Sequence, residues 1–296
     1  MGIRREAAGI VSVTFDATGM PPWEPGAHLT LDLPNGLARQ YSLCGADERD
    51  YTVAVLREPS GRGGSAYVHD ELRVGDRIGV RGPRNNFPLV QAPSYLFVAG
   101  GVGITPILSM LSALSALPAP SGASVEWRLA YGGRTRDSMA FLDRLAPYGS
   151  RVLVRPEDEA GLLDLDALLD LPPETVVYCC GPAPLLDAVA ERCRNELRVE
   201  RFAGTGFRPG DPFEVECANA GVTLRVGAGQ TILEAVEEAG IAWEYDCRDG
   251  TCGTCETRVL AGAVDHRDHL LGPAERETRM MICVSRAACE RLVLEI

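Results

Sequence analysis

The chain is short of positive charge. Its 296 residues hold 29 Lys and Arg against 41 Asp and Glu, a formal net charge of -12. Nucleic acids and anionic membrane surfaces carry the same sign, so neither is expected as a partner, and a basic protein surface suits the chain better. An unbroken apolar span is also missing. The one candidate, Tyr95 to Leu117, is interrupted by Gly100, Gly101, Gly103, Thr105 and Pro106, and it reads as a strand, a glycine turn and a helix. The opening residues, MGIRREAAGI, offer no apolar core of secretory length, and Glu6 stands where a myristoylation motif wants Ser or Thr. A cytoplasmic protein with no membrane association is therefore expected. Histidine is scarce, and His28, His69, His266 and His269 read as structural residues rather than ligands. The ten cysteines are weak grounds for disulfides in such a chain, and their spacing is more informative than their number.

Cys247, Cys252 and Cys255 have the spacing C-x4-C-x2-C, and Cys283 follows in Met-Ile-Cys-Val. That is the plant-type 2Fe-2S arrangement. Two irons need four thiolates converging on a small volume. Gly250 and Gly253 let the loop backbone wrap close, with N–H groups facing the sulfurs. A structural zinc site and a chance grouping of buried cysteines compete with this reading, although the second C-x2-C knuckle of a zinc ribbon is missing. Upstream, Phe213 to Ala218 and Val222 to Val226 alternate across Asn219-Ala220-Gly221 as a hairpin. Thr231 to Ala239 is helical, with Glu234, Glu237 and Glu238 as either solvated surface or a docking face.

From Tyr95 to Leu197, strands (Tyr95–Ala99, Val125–Tyr131, Arg151–Arg155, Val176–Cys180) alternate with helices (Pro106–Leu117, Ser138–Leu145, Pro184–Leu197). This is the pattern of a parallel sheet covered on both faces. Gly100 to Pro106 joins the first strand to a helix, where glycines let a pyrophosphate approach and the helix end supplies N–H donors. Cys180-Gly181-Pro182 ends the last strand, as a ligand edge or a plain turn. Arg134 and Arg136 in the loop after the second strand either meet a phosphate or form a basic turn.

Residues 1–90 give short extended runs instead, Ile10–Phe15, His28–Leu33, Tyr51–Leu56 and Arg77–Arg81, as in an antiparallel barrel. Alternation along Arg39-Gln40-Tyr41-Ser42-Leu43 puts Arg39, Tyr41 and Leu43 on one face, a cation and an aromatic ring side by side. Gly61-Arg62-Gly63-Gly64-Ser65 precedes a helical stretch and offers backbone donors and a hydroxyl.

Taken in order, R-x-Y-S-L at Arg39, G-R-G-G-S at Gly61, G-G-V-G-I-T-P at Gly100, C-G-P at Cys180 and the C-terminal cysteines resemble the phthalate dioxygenase reductase family, the group that also holds vanillate O-demethylase reductases. The resemblance covers essentially the whole chain. It implies three domains of α/β and β type: an antiparallel β-barrel binding flavin over residues 1–92, a parallel α/β NAD-binding domain over 93–203, a linker over 204–211, and a β-grasp ferredoxin-like domain over 212–296. By the same resemblance Arg39 binds the flavin phosphate with Gly63, Gly64 and Ser65. Tyr41 and Phe202 pack against the isoalloxazine, Leu43 and Val55 count among the cofactor-binding residues, and Ser42 hydrogen-bonds near the flavin N5. Cys180 lies close to the nicotinamide. Gly101, Gly103, Thr105, Gly181 and Pro182 surround the dinucleotide, with Arg134 and Arg136 beside it. A C-terminal ferredoxin implies FMN rather than FAD, and the short segment between Leu43 and Tyr51 leaves little material for an adenine site.

The implied activity is an NADH-dependent reductase that passes electrons through FMN and the 2Fe-2S cluster to a Rieske-type non-haem iron oxygenase. The cofactors carry the redox chemistry and the protein positions them. Ser42 and Cys180 are the candidate catalytic residues, neither expected as an essential acid or base, and the chain is expected to act as a monomer. A haem-thiolate monooxygenase as acceptor, a redox sensor without turnover and a simple flavin reductase are the alternatives.

Overall fold

The computed structural model describes residues 2–116, 125–202, 204 and 206–296. The chain divides into two compact units, Met1–Glu200 and Arg201–Ile296. Among the described residues no helix is long and apolar enough to cross a membrane, and no disulfide joins any cysteine.

The first unit begins with strands β1 (Gly2–Ala7), β2 (Ile10–Thr14), β3 (His28–Asp32), β4 (Ala38–Ser42), β5 (Thr52–Leu56), helix α1 (Gly64–Asp70) and β6 (Gly79–Arg84). They form two antiparallel three-stranded sheets, β1-β2-β5 and β4-β3-β6, joined by a bridge between Leu43 and Val53. Alternation sends Val13, Leu29, Leu31, Val53 and Val55 into one shared core with Trp23. Strand β1 is absent from the sequence reading because Arg4, Arg5 and Glu6 mask its alternation. Among the described residues it pairs with β2 alone, and charge on an edge strand discourages pairing with another chain.

The same unit continues through β7 (Ser94–Gly100), α2 (Ile104–Ala116), β8 (Glu126–Gly133), α3 (Leu142–Leu145), β9 (Val152–Pro156), α4 (Glu157–Ala160), α5 (Leu165–Leu168), β10 (Thr175–Cys180), α6 (Ala183–Arg192) and β11 (Leu197–Glu200). The five strands are parallel in the order β11-β10-β7-β8-β9. Strand order reverses between β7 and β10, which opens a crevice at their carboxyl ends. The helix expected to reach Leu117 is described as far as Ala116, and Leu117 lies outside the described residues. The helix expected over 138–145 shrinks to α3, because Phe141 sits at φ 64, a left-handed conformation that no continuous helix contains. The helix expected to run to Leu197 stops at Arg192, and Leu197 instead opens β11. The segment from barrel to sheet is fixed: Tyr178 donates to Pro88 O at 2.8 Å and accepts from Val90 N at 2.7 Å, while Tyr95 donates to Val90 O.

The second unit holds β12 (Phe213–Cys217), β13 (Val222–Val226), α7 (Ile232–Glu238), β14 (Glu256–Ala261), β15 (Val264–Asp265), α8 (Pro273–Arg276), β16 (Arg279–Met281), β17 (Arg286–Ala287) and β18 (Arg291–Leu294). A mixed sheet runs β13-β12-β18-β14-β16, with β12 and β18 parallel at its centre, and β15 pairs with β17 alone. A capping box starts α7, Glu234 N donating to Thr231 Oγ1 at 3.0 Å and Thr231 N to Glu234 Oε2 at 2.8 Å. The acids of this helix are engaged within the unit, since Arg248 holds Glu237 and Gln230 holds Glu238.

The expected linker has no helix or strand among its described residues, Ala203 and Thr205 lying outside them. Its second half is fastened to the ferredoxin-like unit. The guanidinium of Arg286, 1% exposed, lies 4.9 Å from the Phe213 ring and 5.6 Å from that of Phe207. It donates to the carbonyls of Asp211, Gly227 and Gln230. Arg267 donates to Arg208 O.

Candidate redox site

At the carboxyl ends of β7 and β10 two turns meet backbone to backbone. A Cβ at Gly103 would fall 2.2 Å from Cys180 O, one at Gly100 2.6 Å from Pro182 Cδ, and one at Gly181 3.0 Å from Gly100 Cα. Only glycine permits this approach. Gly101, at φ +55, faces open space, and Thr105 fastens the turn by donating to Val102 O at 3.0 Å. Open room beside a glycine turn that leads into the thirteen-residue α2 fits a dinucleotide phosphate.

Glu200 ends β11 in register with Cys180. Its Oε2 accepts from Ser42 Oγ at 3.3 Å and from the Cys180 thiol at 3.9 Å. Burial pushes this carboxyl up to about 8, against the pull of its bonds to Ser42 and Cys180. Burial and the neighbouring Glu200 push the Cys180 thiol well above its usual value. Near neutral pH the three form an uncharged, proton-bearing group in a region of low dielectric. Sequence reasoning passed over Glu200. The available signal was an acid at the carboxyl end of a parallel strand, where open sheets place ligand-contacting residues.

Arg39 lies along the start of α1: a Cβ at Gly64 would fall 2.6 Å from Arg39 Cγ and 2.8 Å from its Nε. Gly63 takes the left-handed cap at φ 91, and Ser65 Oγ accepts from Glu58 N at 3.0 Å. Burial pushes the Tyr41 phenol up to about 12, although Arg39 opposes it. Leu43 and Val55 are fully buried. A cation, a glycine start and a buried ring thus occur together, a set that fits a flavin and its phosphate.

In the second unit Cys252, Cys255 and Cys283 are buried and Cys247 is partly so. Gly250 (φ 72), Gly253 (φ 79) and Arg248 (φ 57) bend the loop to the left-handed side, turning N–H groups onto sulfur. Asp249 N and Thr251 N lie 3.3 and 3.4 Å from Cys247 Sγ, and Thr254 N lies 3.5 Å from Cys252 Sγ. Bonds from the Cys252 and Cys283 thiols draw the Cys247 thiol far below its usual value, and the Cys283 thiol draws Cys255 down. Among the described residues no three His, Cys, Asp or Glu are disposed around a single ion; a two-iron cluster spreads its thiolates more widely. Four thiols in one hydrogen-bonded group, with amide donors, fit such a cluster.

Two family models match, an oxidoreductase NAD-binding domain over residues 97–191 and a 2Fe-2S iron-sulfur cluster binding domain over residues 215–289. The phthalate dioxygenase reductase of Burkholderia cepacia is 38% identical across 94% of this chain and 89% of its own length. The chain belongs to the phthalate dioxygenase reductase family. The phenoxybenzoate dioxygenase subunit beta of Ectopseudomonas oleovorans is 42% identical across 94% of this chain and 89% of its own length. An intact type IV self-sufficient cytochrome P450 monooxygenase contains a region of the same structure, with TM-score 0.89 and 42% identity over 100% of this chain. This chain spans 40% of the length of that monooxygenase. As a member of the family, the protein is an oxidoreductase that transfers electrons to an oxygenase.

In this reductase the expected residues do not all come together. Ser42 and Cys180 meet at Glu200, and Arg39 meets Gly64. Arg134 and Arg136 are exposed on the loop after β8, where Arg136 forms a two-pronged ion pair with Glu159 at 2.9 and 2.7 Å. Phe202 belongs to the second unit and is 45% exposed.

Proposed function

We propose that this reductase takes electrons from NADH through FMN and its 2Fe-2S cluster to a Rieske-type non-haem iron oxygenase, acting as a cytoplasmic monomer. The observation that carries this reading is the junction of Ser42, Glu200 and Cys180 at the sheet crevice, in a chain that also holds four hydrogen-bonded cluster thiols. When bound, the nicotinamide and flavin supply two-electron chemistry and the cluster accepts electrons singly.

The chain's own residues position these groups. Arg39, Gly63, Gly64 and Ser65 hold the flavin phosphate; Tyr41 packs on its ring, the buried Leu43 and Val55 support the strands behind it, and Ser42 bonds to its edge. Gly101, Gly103, Thr105, Gly181 and Pro182 seat the dinucleotide, and Cys180 places the nicotinamide. Glu200 keeps its carboxyl protonated beside Ser42 and Cys180. Cys247, Cys252, Cys255 and Cys283 ligate the cluster.

FMN over FAD is supported by the loop after β4, which closes on itself: a Cβ at Gly45 would fall 1.9 Å from Asp50 O, and Ala46 N bonds Asp50 Oδ2. NADH over NADPH is supported by the acids Glu157, Asp158 and Glu159 beside the Arg134 loop, with Arg136 already paired to Glu159. A 2'-phosphate meets repulsion there. A cytoplasmic setting suits a protein rich in thiols. A haem-thiolate acceptor is the second reading, favoured by the likeness to a region of the self-sufficient cytochrome P450 monooxygenase.

Anaerobic stopped-flow absorbance tests the proposal. NADH is expected to bleach the flavin band and then the cluster band, with NADPH at least tenfold slower. A protein without a flavin band, or inert to both nucleotides, overturns it. Reoxidation of the reduced protein by a P450 and not by a Rieske oxygenase replaces the first acceptor with the second.

A further inference from the structure

The run Asp265-His266-Arg267-Asp268 has no part in the chemistry above, yet it lies beside the fourth cluster ligand. Strand β15 pairs with β17 through Val264 with Ala287 and Asp265 with Arg286, which lays the run along the chain that leaves Cys283. The side chain of Asp268 has no exposed surface. Its Oδ2 accepts from Leu270 N at 3.1 Å and Leu271 N at 2.9 Å, and its Oδ1 accepts from Ser285 Oγ at 3.4 Å. Ser285 Oγ in turn accepts from Arg267 N at 3.1 Å. Arg276 Nη2 donates to Asp268 O and lies 4.0 Å from its Oδ2, and His266 Nδ1 lies 3.7 Å from Oδ1.

The opposite side of this arrangement touches the loop of the other three ligands. Gly250, between Cys247 and Cys252, takes φ +72, and a Cβ there would fall 2.6 Å from Val284 Cγ2 and 3.6 Å from Asp268 Cα. Val284 adjoins Cys283. Three thiols come from one continuous loop and set one another's spacing, whereas the fourth arrives from a distant segment and needs an external anchor. A fully buried acid is costly unless its lone pairs are filled, and those of Asp268 are filled by its own loop at Leu270 and Leu271 and by Ser285, two residues after Cys283. We propose that Asp268 is a positioning residue for the cluster, holding the Cys283 turn against the Gly250 loop through Ser285. The proposal rests on Cys247, Cys252, Cys255 and Cys283 being the ligands.

The test uses the full holoprotein and the variants Ser285→Ala, Ser285→Thr and Asp268→Asn. The readouts are the EPR g-values of the dithionite-reduced cluster, the rate at which its visible band fades in excess chelator, and flavin bleaching by NADH. Loss of a partner beyond the ligands typically costs 10–100-fold in metal affinity. Ser285→Ala and Asp268→Asn are expected to shift the g-values and fade about tenfold or more faster, Ser285→Thr to restore both, and flavin bleaching to stay at the wild-type rate. Unchanged g-values and fading overturn the proposal even if the melting temperature drops, since that pattern marks a merely structural bond. Should Asp268→Asn fail to fold, Ser285→Ala, which removes one hydroxyl, decides. A wild-type protein without a 2Fe-2S signal overturns the ligand assignment itself.

Discussion

Each redox region of this reductase contains an acid withdrawn from solvent, Glu200 in part and Asp268 fully, and the two are surrounded in opposite ways. Among the described residues, Glu200 in the crevice meets one hydroxyl and one thiol. Asp268 beside the cluster loop meets two backbone N–H groups, a hydroxyl and two basic side chains. Low dielectric punishes charge where donors are few, so Glu200 retains its proton to about pH 8. Where donors are many, the same chemical group becomes an anchor. The difference follows the work of each region. Two-electron transfer between organic rings moves hydrogen, and an acid that titrates near neutrality can keep a proton at hand. Electron flow through thiolates moves none, and rigidity of the ligands matters more.

The separation of the two regions is tested most severely by Cys283→Ser. The cluster EPR signal is expected to vanish while NADH still bleaches the flavin at close to the wild-type rate; loss of both would mean that the regions do not operate independently. Glu200→Gln is the next largest effect. Flavin reduction should slow by about tenfold, the size of modest proton-handling contributions, and the break in its pH profile near 8 should disappear. Stability supplies a second readout. Unfolded, Glu200 releases its proton above its ordinary value of 4.5; folded, it keeps it until about 8. The stabilisation is complete below pH 4.5 and is lost as pH rises through 8, on the order of 1–3 kcal/mol after allowance for solvent screening. Thermal melts at pH 5 and pH 8 should differ less in Glu200→Gln than in the wild type. Arg136→Ala should produce the smallest change, with no measurable loss of stability from an exposed ion pair and less than about a twofold change in the KM for NADH. A large rise in that KM would place Arg136 on the nucleotide instead of on Glu159.

The proposed cluster ligands stand out in the sequence because thiolate spacing is itself the chemistry: Cys247, Cys252 and Cys255 follow the C-x4-C-x2-C order. The turns at Gly100 and Cys180 were legible as turns, since glycine and proline act locally, and the parallel sheet followed from its buried runs. Glu200 and Asp268 were not, because a buried acid looks like any surface acid until the fold closes over it. Strand β1 and the break at Phe141 were hidden for related reasons. An edge strand of Arg4, Arg5 and Glu6 has no core face to show, and the left-handed residue at 141 is an aromatic that no propensity would choose. Val199 and Glu200 were missed as a strand because four residues give too short a pattern to separate from the end of a helix.

The bonds of Arg286 to the chain before β12 carry a practical lesson for anyone grafting this ferredoxin onto another reductase. A cut at Pro212 would strip away Phe207 and the Asp211 carbonyl, leaving a buried guanidinium with two of its five sockets empty. A cut ahead of Phe207 keeps the plug with its sockets, so the transferable cassette begins several residues before its first strand.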